Sequence, residues 1–340
     1  METLISLAAE YGLFLVKAVT VVAAIGLLVA WIAATVQQSR QISGDGLEIH
    51  NVNQRFDRMV STLQDELLDK PARKARDKRR KAETKQKAKA AKLGKPDNKG
   101  RLFVIDFDGD IRASAVTNLR EEITAVLQVA EAEDEVLLRL ESAGGLVHSY
   151  GLAASQLRRL RDRGIRFTAA VDKLAASGGY LMACVADRIV AAPFAIIGSI
   201  GVVGQMPNFN RLLKEKNVDI EMHTAGEHKR TLTMFGENSD AGRAKFREEL
   251  ESTHGLFKQF VSDNRADLNV DRVATGEHWH GTQALDLGLI DAVGTSDDLL
   301  LTAAKDERAI YEVRWKTRQS LRERLSSGVE STLQRVLSRF

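Results

Sequence analysis

The sequence predicts an α/β protein with a layered core of parallel strands, preceded by a membrane-spanning helix. Between residues 102 and 193, short apolar runs alternate with amphipathic stretches, which is typical of strand–helix–strand units. Near the N-terminus, residues 13–36 are apolar apart from Lys17, Thr20 and Thr35. These 24 residues would extend roughly 36 Å as a helix, enough to cross a bilayer core of about 30 Å.

The apolar stretch is interpreted as an uncleaved anchor, covering residues 1–40, rather than a cleaved signal peptide. A signal peptide begins with a basic region, but the first ten residues carry only Glu2 and Glu10 as charged groups. The stretch also exceeds the usual length of a signal-peptide core, and no small-x-small cleavage pattern follows it. We therefore expect this helix to contact membrane lipid.

Residues 41–101 are predicted to form a spacer that is partly helical and strongly basic. Its first part repeats apolar residues at three- and four-residue steps, namely Val52, Phe56, Met59, Val60, Leu63, Leu67 and Leu68. From residue 70 to residue 101 there are fifteen Lys or Arg residues against three acidic ones. A nucleic-acid arm is one reading, but no aromatic residue is present on which a base could stack. We expect a solvated linker without a nucleic-acid partner, with attraction to anionic lipid as a secondary effect.

The body is predicted over residues 102–305, followed by a C-terminal strand and amphipathic helix over 306–340. Apolar runs predict strands at 102–111, 135–142, 165–172 and 188–193. Amphipathic spacing predicts helices at 115–132, 149–163, 177–186 and 240–263. The apolar run 174–203 is interpreted as buried core and not as a second span, because Asp187, Arg188 and Pro193 interrupt it.

Composition removes several kinds of site. Cys184 is the only cysteine, so neither an intrachain disulfide nor a cysteine-based metal site is possible. None of the seven histidines lies in an H-E-x-x-H pattern, which argues against a zinc protease. No metal or other cofactor is expected. A Ser-His-Asp triad stays open, because its members have no fixed order in a sequence.

Three short segments carry residues suited to chemistry. In "LESAGGLVHS", Gly144 and Gly145 follow a strand and could turn backbone amides toward a ligand. In "AASGGYLMA", Ser177 opens a helix, as an N-cap residue or as a nucleophile. In "TAGEHKRT", Lys229 is a surface lysine or a base. Lys173 is nearer to Ser177 in the sequence, but its neighbour Asp172 would keep it charged as a surface pair.

Taken in order, "ESAGG", "AASGGY", "GSIGVVG", "GEHKR" and "GTQALDLGLID" resemble the successive motifs of the signal peptide peptidase A family of Ser-Lys serine proteases. The resemblance covers about residues 102–295 and implies the ClpP/crotonase-like fold, a superhelix of repeated ββα units. It implies Ser177 as the nucleophile and Lys229 as the general base. Relatives often have Pro where this chain has Ala143.

The same resemblance implies the remaining site residues. The amides of Gly145 and Gly178 would form the oxyanion hole, and the Ser199 hydroxyl would orient the lysine amine. Expected partners are peptide or signal-peptide substrates and further copies of the chain in a homo-oligomer. The expected location is the bacterial inner membrane, with the catalytic body in the periplasm. Two alternatives keep the same fold: a crotonase-like acyl-CoA enzyme, and a scaffold that has lost catalysis.

Overall fold

The computed structural model describes residues 17, 20, 46–92, 99–226 and 228–317 of the chain. Apart from residues 17 and 20, the predicted membrane helix lies outside this set, as does the predicted C-terminal helix. Among the described residues, no helix is long and apolar enough to cross a bilayer. The chain divides into a large unit, Glu48–Arg314, and a small unit formed by Met1–Leu47 and Trp315–Phe340.

Within the described residues, ten strands belong to one sheet. Their bounds are β1 Gly46–Asn51, β2 Arg101–Gly109, β3 Glu135–Ser142, β4 Arg166–Val171, β5 Leu174–Ala176, β6 Arg188–Ala191, β7 Ile196–Gly198, β8 His278–His280, β9 Ala292–Val293 and β10 Ala309–Lys316. The main order is β1-β10-β2-β3-β4-β6-β9, and β5 extends from β3 to β7 and then β8. From β10 to β9 the pairing is parallel, whereas β8 is antiparallel to β7. The predicted α/β architecture is thus confirmed.

The helices cover the sheet and connect its strands. Those in the described part of the chain are α1 Val52–Leu67, α2 Lys70–Lys92, α3 Val116–Val129, α4 Val147–Asp162, α5 Gly178–Ala183, α6 Asn210–Glu215, α7 Asp240–Asn264, α8 Val270–Val273, α9 Gly281–Asp286 and α10 Ser296–Lys305. Most of the helices that join parallel strands lie where the apolar spacing predicted them. The long helix α7 matches the prediction for 240–263 within one residue.

Strand β2 is buried on both faces, which explains its nearly continuous apolar sequence. Phe103, Ile105 and Phe107 face the larger core, together with buried residues of α3 and α4. Leu102 and Val104 face a second core, which buries one face of α10 and the first turn of α1. The sheet therefore lies between two helical layers, and each layer supplies its own apolar core.

The basic stretch is helical over Lys70–Lys92, within the spacer 41–101 for which the sequence predicted partial helix. Ala, Lys, Arg and Gln dominate it, and all four residue types have high helix propensities. The helix is tied to α1, because Arg76 pairs with Asp65 at 2.6 Å. Helix α1 is in turn held to β10, since Asn53 donates to the Arg308 carbonyl at 2.9 Å and accepts from the Ile310 amide at 2.7 Å.

Three parallel strands end side by side at one edge of the sheet. In the register, Ser142 at the end of β3 pairs with Ala175 of β5. Ala176 at the end of β5 pairs with Gly198 at the end of β7. The loops that follow these three ends are the segments that contain Gly144, Ser177 and Ser199. Carboxyl ends of parallel strands are where α/β proteins place their ligands, so this edge is the candidate site.

A buried carboxylate just before β3 gives a pH-dependent part of the stability. Asp134 is 2 % exposed and accepts from the Arg101 guanidinium at 2.6 Å and from the Glu131 amide at 2.8 Å. Burial alone would raise the pKa of Asp134, but the hydrogen bonds from Arg101 and Glu131 outweigh it, so the pKa lies below its ordinary value. The stabilisation is therefore present above the unfolded pKa, about 3.9, and is lost as the pH falls through the folded pKa.

We expect Asp134→Ala to lower the free energy of unfolding by about 2–3 kcal/mol at pH 7, because it leaves the Arg101 guanidinium and the amides of Arg101 and Glu131 without their acceptor. Urea denaturation of wild type and variant at pH 7 and at successively lower pH measures this difference. The difference should shrink below pH 4. The exposed Asp267 provides the control, since Asp267→Ala should change stability by less than about 0.5 kcal/mol. A pH-independent difference at position 134 would contradict the assignment.

Candidate active site

Ser177 lies at a strained turn between β5 and α5. Its amide donates to the Gly198 carbonyl at 2.8 Å, which ties the turn to β7. Its backbone has φ of 53° and ψ of −118°, a conformation that non-glycine residues rarely adopt. The sequence predicted a helix over 177–186 that includes Ser177, whereas the observed helix α5 begins one residue later, at Gly178, and ends at Ala183. Its hydroxyl is half-buried and makes no hydrogen bond within the described part of the chain, so it remains available for a substrate.

Two backbone amides beside Ser177 have no acceptor among the described residues: those of Gly145 and Gly178. Gly178 is the first residue of α5, where helix amides point outward without partners. Amides in this state bind anions and polarised carbonyl oxygens. The loop after β3 and the first residue of α5 thus each offer one free donor at the edge that carries Ser177.

Gly144 brings these groups together through a close backbone contact. Its φ of 87° is open to glycine and strained for other residues. A Cβ atom at this position would lie 2.6 Å from the amide nitrogen of Gly178 and 2.8 Å from the Cβ of Ser177. The turn forms with Ala143 in front of it, so a proline there is not needed for the left-handed conformation.

Ser199 follows the end of β7 on the same edge of the sheet. It also has a left-handed backbone, with φ of 51°, and its amide donates to the Glu277 carbonyl at 2.6 Å. Its side chain is half-buried. The register between β5 and β7 therefore places Ser177 and Ser199 one residue beyond paired strand ends.

No hydrogen bond joins Lys229 to Ser177 in the described part of the chain. Lys229 lies in the stretch 199–239, where α6 is the only helix within the described residues. Its amide donates to the Gly226 carbonyl at 3.1 Å, and its side chain is exposed. The strand register thus places four of the five predicted site residues at one edge, and Lys229 is hydrogen-bonded to none of them among the described residues.

Lys173 is excluded as a base by its own ion pair. Its amine lies 2.9 Å from the Glu141 carboxylate, and the hydrogen bond that Lys173 donates to Glu141 raises the pKa of Lys173. The sequence predicted an ion pair between Lys173 and Asp172, but the partner of Lys173 is Glu141. The Asp172 carboxylate instead accepts from the amide and the hydroxyl of Ser296, at 2.8 and 2.6 Å. Lys173 therefore stays charged, as the sequence predicted.

Other kinds of chemistry find little support at this edge. Burial raises the pKa of the Cys184 thiol to about 12, so it is not a thiolate nucleophile. No histidine within the described ranges is hydrogen-bonded to Ser177. Over the same ranges, no group of three or more His, Cys, Asp or Glu residues is arranged to hold a metal ion.

Two buried hydroxyls beneath the glycine turn were missed by the sequence analysis. Ser142 and Tyr150 lie 2.5 Å apart, oxygen to oxygen. Ser142 belongs to the "ESAGG" motif, which was a usable signal, but Tyr150 lies one helical turn beyond it within α4. Sequence spacing alone gives no reason to join them.

The chain matches two family models that together cover most of its length. The first is "Peptidase family S49 N-terminal", matched over residues 6–157. The second is "Peptidase family S49", matched over residues 159–310. The second match contains Ser177, Ser199 and Lys229.

Curated relatives are similar over long stretches. The chain is 49% identical over 337 residues to "Probable protease SohB" of Haemophilus influenzae, covering 97% of this chain and 95% of that protein. It is 57% identical over 241 residues to "Probable protease SohB" of Buchnera aphidicola subsp. Acyrthosiphon pisum, covering 71% of each. Among solved structures, the 1510-N membrane-bound stomatin-specific protease aligns at 16% identity with a TM-score of 0.40, over 68% of this chain and 98% of that chain.

We expect Gly144→Ala to lower the free energy of unfolding by about 2–4 kcal/mol, because the new methyl group meets backbone atoms and the residue must keep a left-handed φ. Gly151, seven residues on, provides the matched control. It lies in α4 with no atom within 4 Å of an added Cβ, so Gly151→Ala should raise stability by up to about 1 kcal/mol. Chemical denaturation measures both, and equal effects would contradict the close contact.

Proposed function

Because the chain belongs to peptidase family S49, we propose that it is a membrane-anchored serine endopeptidase that hydrolyses peptide bonds with a Ser-Lys dyad. Ser177 is the proposed nucleophile and Lys229 the proposed general base. The observation that carries the proposal is the position of Ser177. Its free hydroxyl stands at a strained strand-to-helix turn, beside the unpartnered amides of Gly145 and Gly178. This is the arrangement that acyl transfer to a serine requires.

The proposed reaction has two halves. The neutral amine of Lys229 takes the proton of Ser177 as the hydroxyl oxygen attacks the peptide carbonyl. The resulting oxyanion accepts hydrogen bonds from the Gly145 and Gly178 amides, and each donor of this kind contributes about 3 kcal/mol in other proteases. The tetrahedral intermediate collapses as Lys229 returns the proton to the leaving amine, which forms an acyl-enzyme. Water then attacks the ester, with the lysine again as base. No metal or organic cofactor takes part.

To act as a base, Lys229 needs an environment with less water than it has in the isolated chain, where its side chain is exposed. A lysine amine acts as a base only without its proton, and removal from water favours that form. We infer that bound peptide or a neighbouring copy of the chain covers the 199–239 stretch and brings the amine to Ser177. The half-buried Ser199 hydroxyl is the proposed orienting group for the amine.

A homo-oligomer is the proposed form of the catalytic body. The described part of the body exposes large apolar side chains, including Phe194 at 83 % and Val203 at 87 %. Exposed apolar surface of this kind marks contact sites for other chains. Closed symmetry would bury it in every copy.

The proposed substrates are signal peptides or other small membrane-associated polypeptides. The proposed location is the bacterial inner membrane, with residues 1–40 as the anchor and the catalytic body in the periplasm. The proposed finer fold is the ClpP/crotonase-like superhelix, with β4, β5 and α5 as one of its ββα units. The basic helix α2, which follows the anchor and α1 along the chain, is proposed to add attraction to anionic lipid and not to bind nucleic acid.

We expect Ser177→Ala and Lys229→Ala each to lower kcat for a short fluorogenic peptide by at least about 1,000-fold, with the double variant no slower than either single variant. Lys229→Arg keeps the charge but should be equally inactive, because a guanidinium does not lose its proton in proteins. Peptide hydrolysis under saturating substrate measures these values.

Lys173→Ala is the control for the dyad, since Lys173 is an exposed lysine held by Glu141. It should keep most of the activity. Alanine variants of His148, His223, His228 and His254 should do the same. Near wild-type hydrolysis by Lys229→Ala, together with loss of activity in one histidine variant, would replace the dyad with a triad.

Deleting residues 1–40 is expected to give a soluble oligomer that still hydrolyses short peptides, because the anchor and the site lie in different segments. Light scattering gives the mass of the truncated protein, and peptide hydrolysis gives its activity. The full-length protein should stay with membranes through a carbonate wash. A strictly monomeric and fully active truncation would contradict the oligomer, and full-length protein released by carbonate would contradict the anchor.

A further inference from the structure

A chain of hydrogen bonds lies beneath the glycine turn of the candidate site. The Gly144 amide donates to the Ser142 hydroxyl at 3.1 Å. The Ser142 and Tyr150 oxygens are 2.5 Å apart, and the Tyr150 hydroxyl donates to the Asp110 carbonyl at 2.8 Å. With the tyrosine proton on this carbonyl, the short contact is made by the Ser142 proton, whose other acceptor, the Gly109 carbonyl, is farther away at 3.4 Å. Ser142 then donates to Tyr150 and accepts from Gly144. The chain therefore runs in one direction, from the turn to the loop after β2.

This chain fixes one side of the peptide that carries the proposed oxyanion donor. Gly145 stands between two amides that are already bound. The Gly144 amide is held by Ser142, and the Leu146 amide donates to the Ile111 carbonyl at 2.8 Å. Only the Gly145 amide between them is left without an acceptor among the described residues. Its direction is thus set by its two neighbours.

Tyr150 also touches the second proposed donor. A Cβ atom on Gly178 would lie 2.4 Å from the Cγ of Tyr150, so the ring packs directly against this glycine. The ring is completely buried and forms an edge contact with Phe107, at 6.4 Å between centroids. Burial raises the pKa of Tyr150, so its hydroxyl keeps the proton that it donates. One side chain therefore contacts Gly178 through its ring and Gly144 through Ser142.

We propose that Tyr150, acting through Ser142, is a positioning residue that sets the spacing and direction of the Gly145 and Gly178 amides for the oxyanion. This inference rests on the proposed peptidase function. Neither side chain touches the substrate in this role. Their effect is on the geometry of two donors, and displacement of a reacting group by about 1 Å costs on the order of 100-fold in rate.

The direct test compares two tyrosine-to-phenylalanine variants in the full-length protein. Tyr150→Phe removes one buried hydroxyl from the chain beneath the turn. Tyr180→Phe removes another buried hydroxyl, which donates to the Leu289 carbonyl at 2.9 Å and is not part of that chain. Tyr150→Phe loses two hydrogen bonds, with Asp110 and with Ser142, and Tyr180→Phe loses one. Both melting temperatures should therefore fall, that of Tyr150→Phe further.

Their kinetics should differ. We expect Tyr150→Phe to lower kcat for a fluorogenic peptide by about 10- to 100-fold with KM within about twofold, and Tyr180→Phe to stay within about threefold in both. Affinity for a peptide aldehyde, whose adduct with serine places an oxygen in the oxyanion hole, should fall in Tyr150→Phe by the same factor as kcat/KM. A kcat for Tyr150→Phe equal to that of Tyr180→Phe would overturn the inference.

Ser142→Ala tests the other end of the hydrogen-bond chain. It gives an independent result if Tyr150→Phe does not fold. It should reproduce the loss in kcat, and the double variant should be no slower than the slower single variant. Additive losses would overturn the inference. A wild-type protein that hydrolyses no peptide and is not inhibited by the aldehyde would instead remove the proposed function itself, so the two failures are distinguishable.

Discussion

The candidate site depends on one close backbone contact, between Gly144 and the Ser177–Gly178 turn. A Cβ atom on residue 144 would lie only 2.6 Å from the Gly178 nitrogen. The two segments can therefore approach this closely only because residue 144 is glycine. Both sides of the contact are in left-handed conformations, with φ of 87° at Gly144 and 53° at Ser177. Strain of this kind persists only where the surroundings hold it. Here it is held by the β5–β7 pairing and by the hydroxyl chain beneath the turn.

The parallel sheet brings these segments together from distant parts of the sequence. Strands β3, β5 and β7 pair side by side and end at one edge, so their following loops meet there. The two apolar cores on the faces of β2 make this edge rigid, since each face is covered by its own helices. Rigid elements hold donors and nucleophile within the narrow geometric limits that catalysis needs. The stretch 199–239, which contains the predicted base Lys229, has a single short helix among its described residues. The Lys229 side chain is exposed to solvent.

Much of the fold could be predicted, because apolar periodicity reports burial directly. The alternation of strands and helices followed from it, and so did the glycine turn after β3. Four features could not be read in this way. The register that sets Ser177 beside Gly198 is a long-range pairing, and the Ser142–Tyr150 contact joins residues whose spacing carries no signal. The length of the helix in the basic stretch was not predicted, because its charge suggested a solvated linker while its residues favour helix. Lys229 was assigned from motif resemblance, and sequence alone could not say what covers it.

The central claim is that Ser177 is an activated nucleophile, and covalent labelling tests it most directly. The full-length protein in detergent would be treated with a peptidyl phosphonate, which reacts only with serines held beside an oxyanion hole, and the modified peptide identified by mass spectrometry. The account predicts a single adduct on Ser177, with no labelling of Ser177→Ala and strongly slowed labelling of Lys229→Ala. Labelling of another serine, or no adduct in a preparation that hydrolyses peptides, would contradict it.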